Sequence, residues 1–372
     1  MRKRSVIIVI IGLFYFLGFS QTNRESLRLK LDSLFESEFD SFSPGGVILL
    51  KKGNEILYLR SFGLANLVTK EKVTENTSFN TGSISKTFVS NGILLLKERG
   101  KLSLEDNLSM YFKDFKNKEI ANKIKIKHLL SHTSGLPDNR KVKEENEFYL
   151  TAKDKENFEP LKFVDSLNFE PGERFEYSNP AFNGLALIIE EVTGEKWQKF
   201  IEDNIFALSN MKHSKITDGD YPQNGVAHGY ELIDHVYVEK DYGEVPTFAA
   251  SGNCGVWSSV IDLANYEKAI HDGVFLSKKL IKESRSVYQP LNWKDSINPR
   301  IGYSWFLIPK SKRLKTEIVY HTGSNGGYHS FYYHFPKKDI LYVGLFNRQL
   351  SEKFWDNVYT ALDELYEYNW FD

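Results

Sequence analysis

The chain has 372 residues, of which 41% are hydrophobic and 14% aromatic, with a formal charge of -1. That length and apolar content can bury a large core in one domain or two interlocked ones, which argues against a disordered chain. No run of Lys and Arg is long enough to neutralise a row of phosphates, which argues against nucleic acid as a partner.

Arg2, Lys3 and Arg4 precede an apolar run from Val6 to Phe19, and Gly18-Phe19-Ser20 offers small residues at the spacing a signal peptidase accepts. The pattern predicts a secretory signal over residues 1–20, cut after Ser20, and a periplasmic or secreted protein over 21–372. An uncleaved anchor is the alternative, but the run falls short of the ~20 apolar residues of a spanning helix, so no stable span is expected after removal. With Cys254 as its single cysteine, the chain has no intramolecular disulfide.

In the mature part, Leu27, Leu29, Leu31, Leu34 and Phe35 predict an amphipathic helix over Arg24 to Phe39. Gly45 to Leu50 and Glu55 to Leu59 flank Lys51-Lys52-Gly53-Asn54 and predict a hairpin. Ser83 to Arg99 is apolar nearly all round and stops at Gly100, as a buried central helix does. Ser103 with Asp106 resembles a capping box, and further helices are expected over Ala181 to Val192, after Asn179-Pro180, and over Lys196 to Leu208. Strand signals return only late, at Ile301 to Ile308, Glu317 to Tyr320, Ser330 to Phe335 and Ile340 to Phe346, before a last helix from Glu352 to Tyr368. Strands near both ends with helices between them predict an α/β fold of the α+β type: a central antiparallel sheet built from about 21–80 and 246–372, and a mostly helical part over about 81–245.

The chemistry concentrates at Thr81-Gly82-Ser83-Ile84-Ser85-Lys86. If Ser83 opens the helix, Lys86 lies one turn along the same face, and hydroxyl and amine point into one cleft. A serine hydroxyl is a weak nucleophile until a base takes its proton, and a lysine of ordinary pKa near ~10.4 is no base at neutral pH. Burial and the positive end of the helix dipole both disfavour the ammonium. Two other stretches have the same polar, turn-bordered character. Tyr177-Ser178-Asn179 follows the turn Pro171-Gly172 and leads into a helix, and His321-Thr322-Gly323 ends a strand beside Ser324-Asn325-Gly326-Gly327.

These motifs, with Ile126 to Leu136 and Gly252 to Leu263, resemble the serine β-lactamase and penicillin-binding-protein superfamily. The likeness is to its branch of class C β-lactamase-like hydrolases, which also holds D-alanyl-D-alanine carboxypeptidases, D-aminopeptidases and esterases. It covers nearly all of the mature chain and implies an active site in the groove between a sheet domain and a helical domain. By resemblance, Ser83 is the nucleophile, Lys86 and Tyr177 carry protons, and Asn179 bonds Lys86 and the substrate. His321, Thr322 and Gly323 line the substrate, and the backbone N–H groups of Ser83 and Ser324 receive the oxyanion. The sequence leaves Lys86 and Tyr177 both open as the acylation base, a pair with coupled titrations. Neither a metal nor another cofactor is implied, and the partner is a small molecule or peptide. Many relatives carry lysine where this chain has His321; a histidine of ordinary pKa ~6.5 is mostly neutral at pH 7, so recognition of a substrate carboxylate is expected to be weaker. That favours an ester or a D-amino-acid peptide over a dedicated β-lactamase substrate, with a catalytically weak cell-wall receptor as the reading from another class. For Asn179 the competing role is to cap the following helix.

Other residues attract attention and carry less. His128 and His132 share a metal-like spacing, but no third ligand accompanies them, and a structural turn is expected. The sequence identifies no cationic partner for Cys254, which reads as a packed residue. Glu170 and Glu173 stand at the wrong spacing from Asn179 for a deacylating glutamate and are expected at the surface. Phe148, Tyr149, Tyr242, Trp257 and Tyr328 are expected either to wall the groove or to pack, and the loop from Pro137 to Glu170 to border it.

Overall fold

The computed structural model describes residues 24–137, 153–217, 224–239, 251–295, 299–310 and 316–367. The signal segment, Phe148, Tyr149 and Tyr242, and the 138–152 part of the loop expected to border the groove, lie outside the described residues.

Six strands form one antiparallel sheet: β1 (Gly46–Lys52), β2 (Glu55–Phe62), β3 (Phe306–Ile308), β4 (Ile318–Asn325), β5 (Tyr328–Phe335) and β6 (Ile340–Phe346). Their spatial order is β3-β4-β5-β6-β1-β2, so the first hairpin pairs with the last strand through Gly46↔Phe346 to Lys52↔Ile340. β1 and β6 are apolar without alternation because both faces of the sheet are covered. The period of two sorts them. Ile48, Leu50, Phe331, Tyr333 and Tyr342 pack under α1 (residues 24–35) and α5 (Glu352–Glu367), whereas Val47, Leu49, Tyr332, Val343 and Leu345 face the other way. There they share one core with α2 (Ser85–Glu98), α3 (Asn179–Thr193) and α4 (Val260–Asp272). Every residue of α2 from Ser85 to Leu96 is buried, which is why that helix is apolar around its circumference.

The structure departs from the sequence reading at several elements. Asp106 Oδ2 accepts from the Ser103 N–H at 2.8 Å as in a capping box, but Ser103 Oγ accepts from the Glu105 N–H, so the pair closes a turn, and the next helix starts only at Leu108. The strand expected over Ile301 to Ile308 is only β3, because Gly302 N–H bonds the Trp305 carbonyl and Ser304 takes φ 70°, folding that segment back. Tyr230–Ile233 and Val236–Glu239 form a hairpin inside the stretch read as helical. The three short strands Phe79–Asn80, Val256–Ser258 and Lys215–Ile216 form a second small sheet at the entrance to α2.

A buried ion pair ties α4 to the sheet. Arg285 donates two bonds of 2.7 Å to Glu267 of α4, Tyr332 of β5 donates to the same carboxylate, and the guanidinium stacks 4.5 Å over Trp305. Burial alone would raise the Glu267 carboxyl; the charge of Arg285 overcomes it and brings the group down to about 2. Glu267, Arg285 and His334 also line a cavity of about 580 Å³ that shares no residue with the Ser83 cluster.

Candidate active site

Asn80 and Thr81 bend the chain into α2. The Gly82 N–H donates to Asn80 Oδ1 at 2.9 Å and the Ile84 N–H to the Thr81 carbonyl at 3.3 Å, closing a 3-10 turn over Gly82–Ile84 that carries Ser83. The nucleophile candidate therefore sits just before the α-helix, not in its first turn. Gly82 holds φ 54°, a left-handed conformation open to glycine.

Lys86 follows one turn later, with no solvent exposure. Its Nζ donates to Ser83 Oγ at 3.0 Å and to the Asn253 carbonyl at 2.8 Å, and lies 5.1 Å from the centre of the Tyr177 ring. Ser83, Lys86 and Tyr177 thus meet in one place. A second acceptor of the amine is the Asn253 backbone carbonyl, and a backbone carbonyl leaves no side-chain signature in a sequence. Asn179 does not cap α3. Ser178 does, its Oγ accepting from the Ala181 N–H at 3.2 Å, while Asn179 is the first helical residue, half-buried beside Tyr177.

Tyr177 is held by a residue the sequence suggested only as part of a turn. His132, fully buried with φ 55°, stacks its ring on Tyr177 at 4.3 Å between centroids. Its Nδ1 accepts from the Ser178 N–H at 3.0 Å and its carbonyl from the Glu176 N–H at 2.9 Å. Burial, and then the charge of Lys86, hold it well below the usual histidine range, so the neutral ring carries its proton on Nε2. His128 likewise accepts a backbone bond, from Lys125 N–H at 3.1 Å, and among the described residues no cluster of His, Cys, Asp and Glu could hold a metal.

On the opposite wall β4 runs unbroken through His321, Thr322, Gly323 and Ser324, correcting the expectation that the strand ends there. These residues pair with Tyr332, Phe331, Ser330 and His329 of β5, and the reversal falls at Gly326-Gly327. β4 presses closely on the helix entrance. A Cβ at Gly323 would lie 2.1 Å from the Thr81 carbonyl oxygen and 3.0 Å from the Ser83 nitrogen, and one at Gly82 would lie 2.7 Å from the Ser324 nitrogen. The two backbone nitrogens expected at an oxyanion site therefore face one junction, which side chains on those glycines would force apart. His321 is buried beside it, its Nδ1–H donating to the Thr322 carbonyl at 2.6 Å and its ring packed edge-on against Phe306. Burial, and then Lys86, bring it down to about 3, so it supplies no positive charge at neutral pH.

The remaining candidates settle as packing. Burial pushes the Cys254 thiol up to about 12. Trp257 and Tyr328 are core residues in edge-to-face contact at 5.5 Å. Glu170 is exposed as expected, but Glu173 is buried, accepting from the Glu170 N–H at 3.1 Å and pairing with Lys294.

Five histidines, four buried and one half-buried, make the fold acid-sensitive. His128 and His334 are lowered to about 4 and His321 to about 3, with His132 and His329 also lowered, all chiefly by burial. In the unfolded chain each takes a proton as pH falls through ~6.5, whereas in the fold it stays neutral. Below that pH the unfolded state binds more protons, so stability falls, by at most about 1.4 kcal/mol per pH unit for each histidine, until the pH reaches that histidine's lowered folded value. The carboxyls of Asp154, Glu202 and Asp262, raised by burial, act in the opposite sense but are fewer. The denaturant midpoint is expected to drop between pH 7 and pH 5; an unchanged midpoint contradicts this.

The fold is that of serine hydrolases related to β-lactamases and penicillin-binding proteins. The beta-lactamase family model matches residues 32–367, and the chain belongs to that family, within the serine β-lactamase and penicillin-binding-protein superfamily. It is 28% identical over 339 residues to penicillin-binding protein 4* of Bacillus subtilis, covering 86% of this chain and 72% of that one. It is 27% identical to protein flp of Staphylococcus aureus, over 86% of its own length and 62% of that protein's. Among solved structures, the octameric penicillin-binding protein homologue from Pyrococcus abyssi superimposes with a TM-score of 0.75 at 26% identity, covering 90% of this chain and 77% of the other. Among the described residues no helix is long and apolar enough to cross a membrane.

Proposed function

We propose that the chain is an exported hydrolase that cleaves an ester or an amide, in a small ester or a D-amino-acid peptide, through an acyl group on Ser83. The observation that carries this reading is the 3.0 Å bond from the buried Lys86 amine to Ser83 Oγ. Ser83 Oγ attacks the substrate carbonyl as its proton passes to the Lys86–Tyr177 pair. The oxyanion gathers at the Ser83 and Ser324 N–H groups; the leaving alcohol or amine then departs with a proton from the same pair. Water adds to the acyl carbonyl as its proton passes to the pair, and the pair returns that proton to Ser83 Oγ as the acyl bond breaks and the acid leaves.

Asn179, Thr322 and Gly323 border the substrate, and His321, neutral at pH 7, offers no cation to a substrate carboxylate. This supports esters and D-amino-acid amides over β-lactams. The test is turnover of p-nitrophenyl esters, D-alanyl peptides and a chromogenic β-lactam by the wild type and by Ser83→Ala. Esters or D-alanyl peptides should turn over faster than the β-lactam, and all activity should vanish in the variant. Activity surviving in Ser83→Ala removes the assignment. A β-lactam turned over best makes the chain a true β-lactamase, and labelling without turnover makes it a receptor.

A further inference from the structure

The second acceptor of the Lys86 amine is a backbone atom, so whatever fixes residue 253 also fixes the amine. The turn Ser251–Asn253 is tied down by the buried carboxylate of Asp154. Asp154 accepts from the Gly252 N–H, from Asn183 Nδ2 and from Trp197 Nε1, each at 2.7 Å. Asn183, on α3, uses its other amide hydrogen on Ser251 Oγ at 2.7 Å, and that hydroxyl donates to the Asn253 side chain. An acceptor at Asp154 orients every donor in this chain: Asn183 must present its NH₂ to it, Ser251 then receives from Asn183, and its own proton goes on to Asn253. The Asn253 carbonyl, at the end of the series, receives Lys86 Nζ at 2.8 Å. All three donors to Asp154 are uncharged, so the carboxylate, 6% exposed, is a costly way to fill a core position.

We propose that Asp154 is a positioning residue for Lys86: its carboxylate oxygens fix the Ser251–Asn253 turn whose carbonyl holds the amine against Ser83. This rests on the reading of Ser83 and Lys86 given above, and predicts an effect on the chemical step, with substrate binding left in place.

The test measures kcat per folded enzyme on a p-nitrophenyl ester, with the folded fraction of each variant read from near-UV circular dichroism. Asp154→Ala should lower this kcat by about 10²-fold, the scale of a displaced catalytic group, with KM changed by less than about threefold. In Asp154→Asn the new NH₂ faces either the Trp197 indole N–H or the donors on the other side. Combining it with Trp197→Phe removes that conflict and leaves an oxygen for Gly252 and Asn183. Asp154→Asn with Trp197→Phe should therefore recover most of the kcat of Trp197→Phe alone. Because the readout is per folded enzyme, loss of folded protein does not imitate it. A kcat per folded enzyme unchanged in Asp154→Ala, or no recovery in the double variant, overturns the proposal. Turnover persisting in Ser83→Ala instead overturns the underlying site reading and is seen separately.

Discussion

Lys86→Met should lower kcat/KM for the best ester by about 10²- to 10⁴-fold, the range lost when a positioned proton carrier is removed. The side chain is wholly buried, and its amine bonds Ser83 Oγ and the Asn253 carbonyl. Methionine keeps the bulk of the stem and deletes only the amine, so packing against Tyr177 and Phe182 persists while the hydroxyl loses its partner. Tyr177→Phe, measured alongside, separates the two members of the pair: the variant that no longer forms the acyl-enzyme has lost the acylation base. Steady-state kinetics decide the first point, and a Lys86→Met enzyme within about tenfold of wild type would mean that the amine moves no proton in the limiting step.

The second large effect is on stability. Glu267→Gln leaves Arg285 charged in the core without its counter-ion and also weakens the bond from Tyr332. Breaking one side of a buried pair typically costs about 3–5 kcal/mol. Urea unfolding should show a loss of that size. Replacing both partners together, Glu267→Leu with Arg285→Met, should recover much of it, because no orphaned charge remains. A Glu267→Gln variant as stable as wild type would show that solvent reaches Arg285 and screens the pair.

Much of this was legible in the sequence where local chemistry and tertiary structure agree. The spacing of Ser83 and Lys86, the hairpin around Gly53-Asn54, the strands from 328 to 346 and the stop at Gly194, which takes φ 73°, follow from side-chain periodicity and turn residues. Polar strands were harder. His321-Thr322-Gly323 reads as the end of a strand because the Ser324-Asn325-Gly326-Gly327 that follows favours a turn, yet the pairing with β5 continues to Asn325↔Tyr328. Backbone acceptors such as the Asn253 carbonyl leave no sequence signal. Asp154 sits in the polar run Asp154-Lys155-Glu156-Asn157, which looks like surface, and only its position under Gly252, Asn183 and Trp197 distinguishes it. His132 was visible only as a spacing from His128; its contact with Tyr177 joins segments far apart in the chain.

The most direct test of the central claim is the mass of the protein quenched in acid during turnover of a p-nitrophenyl ester, followed by peptide mapping. One acyl group should be found on the peptide containing Ser83 and none in Ser83→Ala. An adduct on another residue, or sustained turnover with no adduct and no dependence on Ser83, would contradict an acyl-serine mechanism.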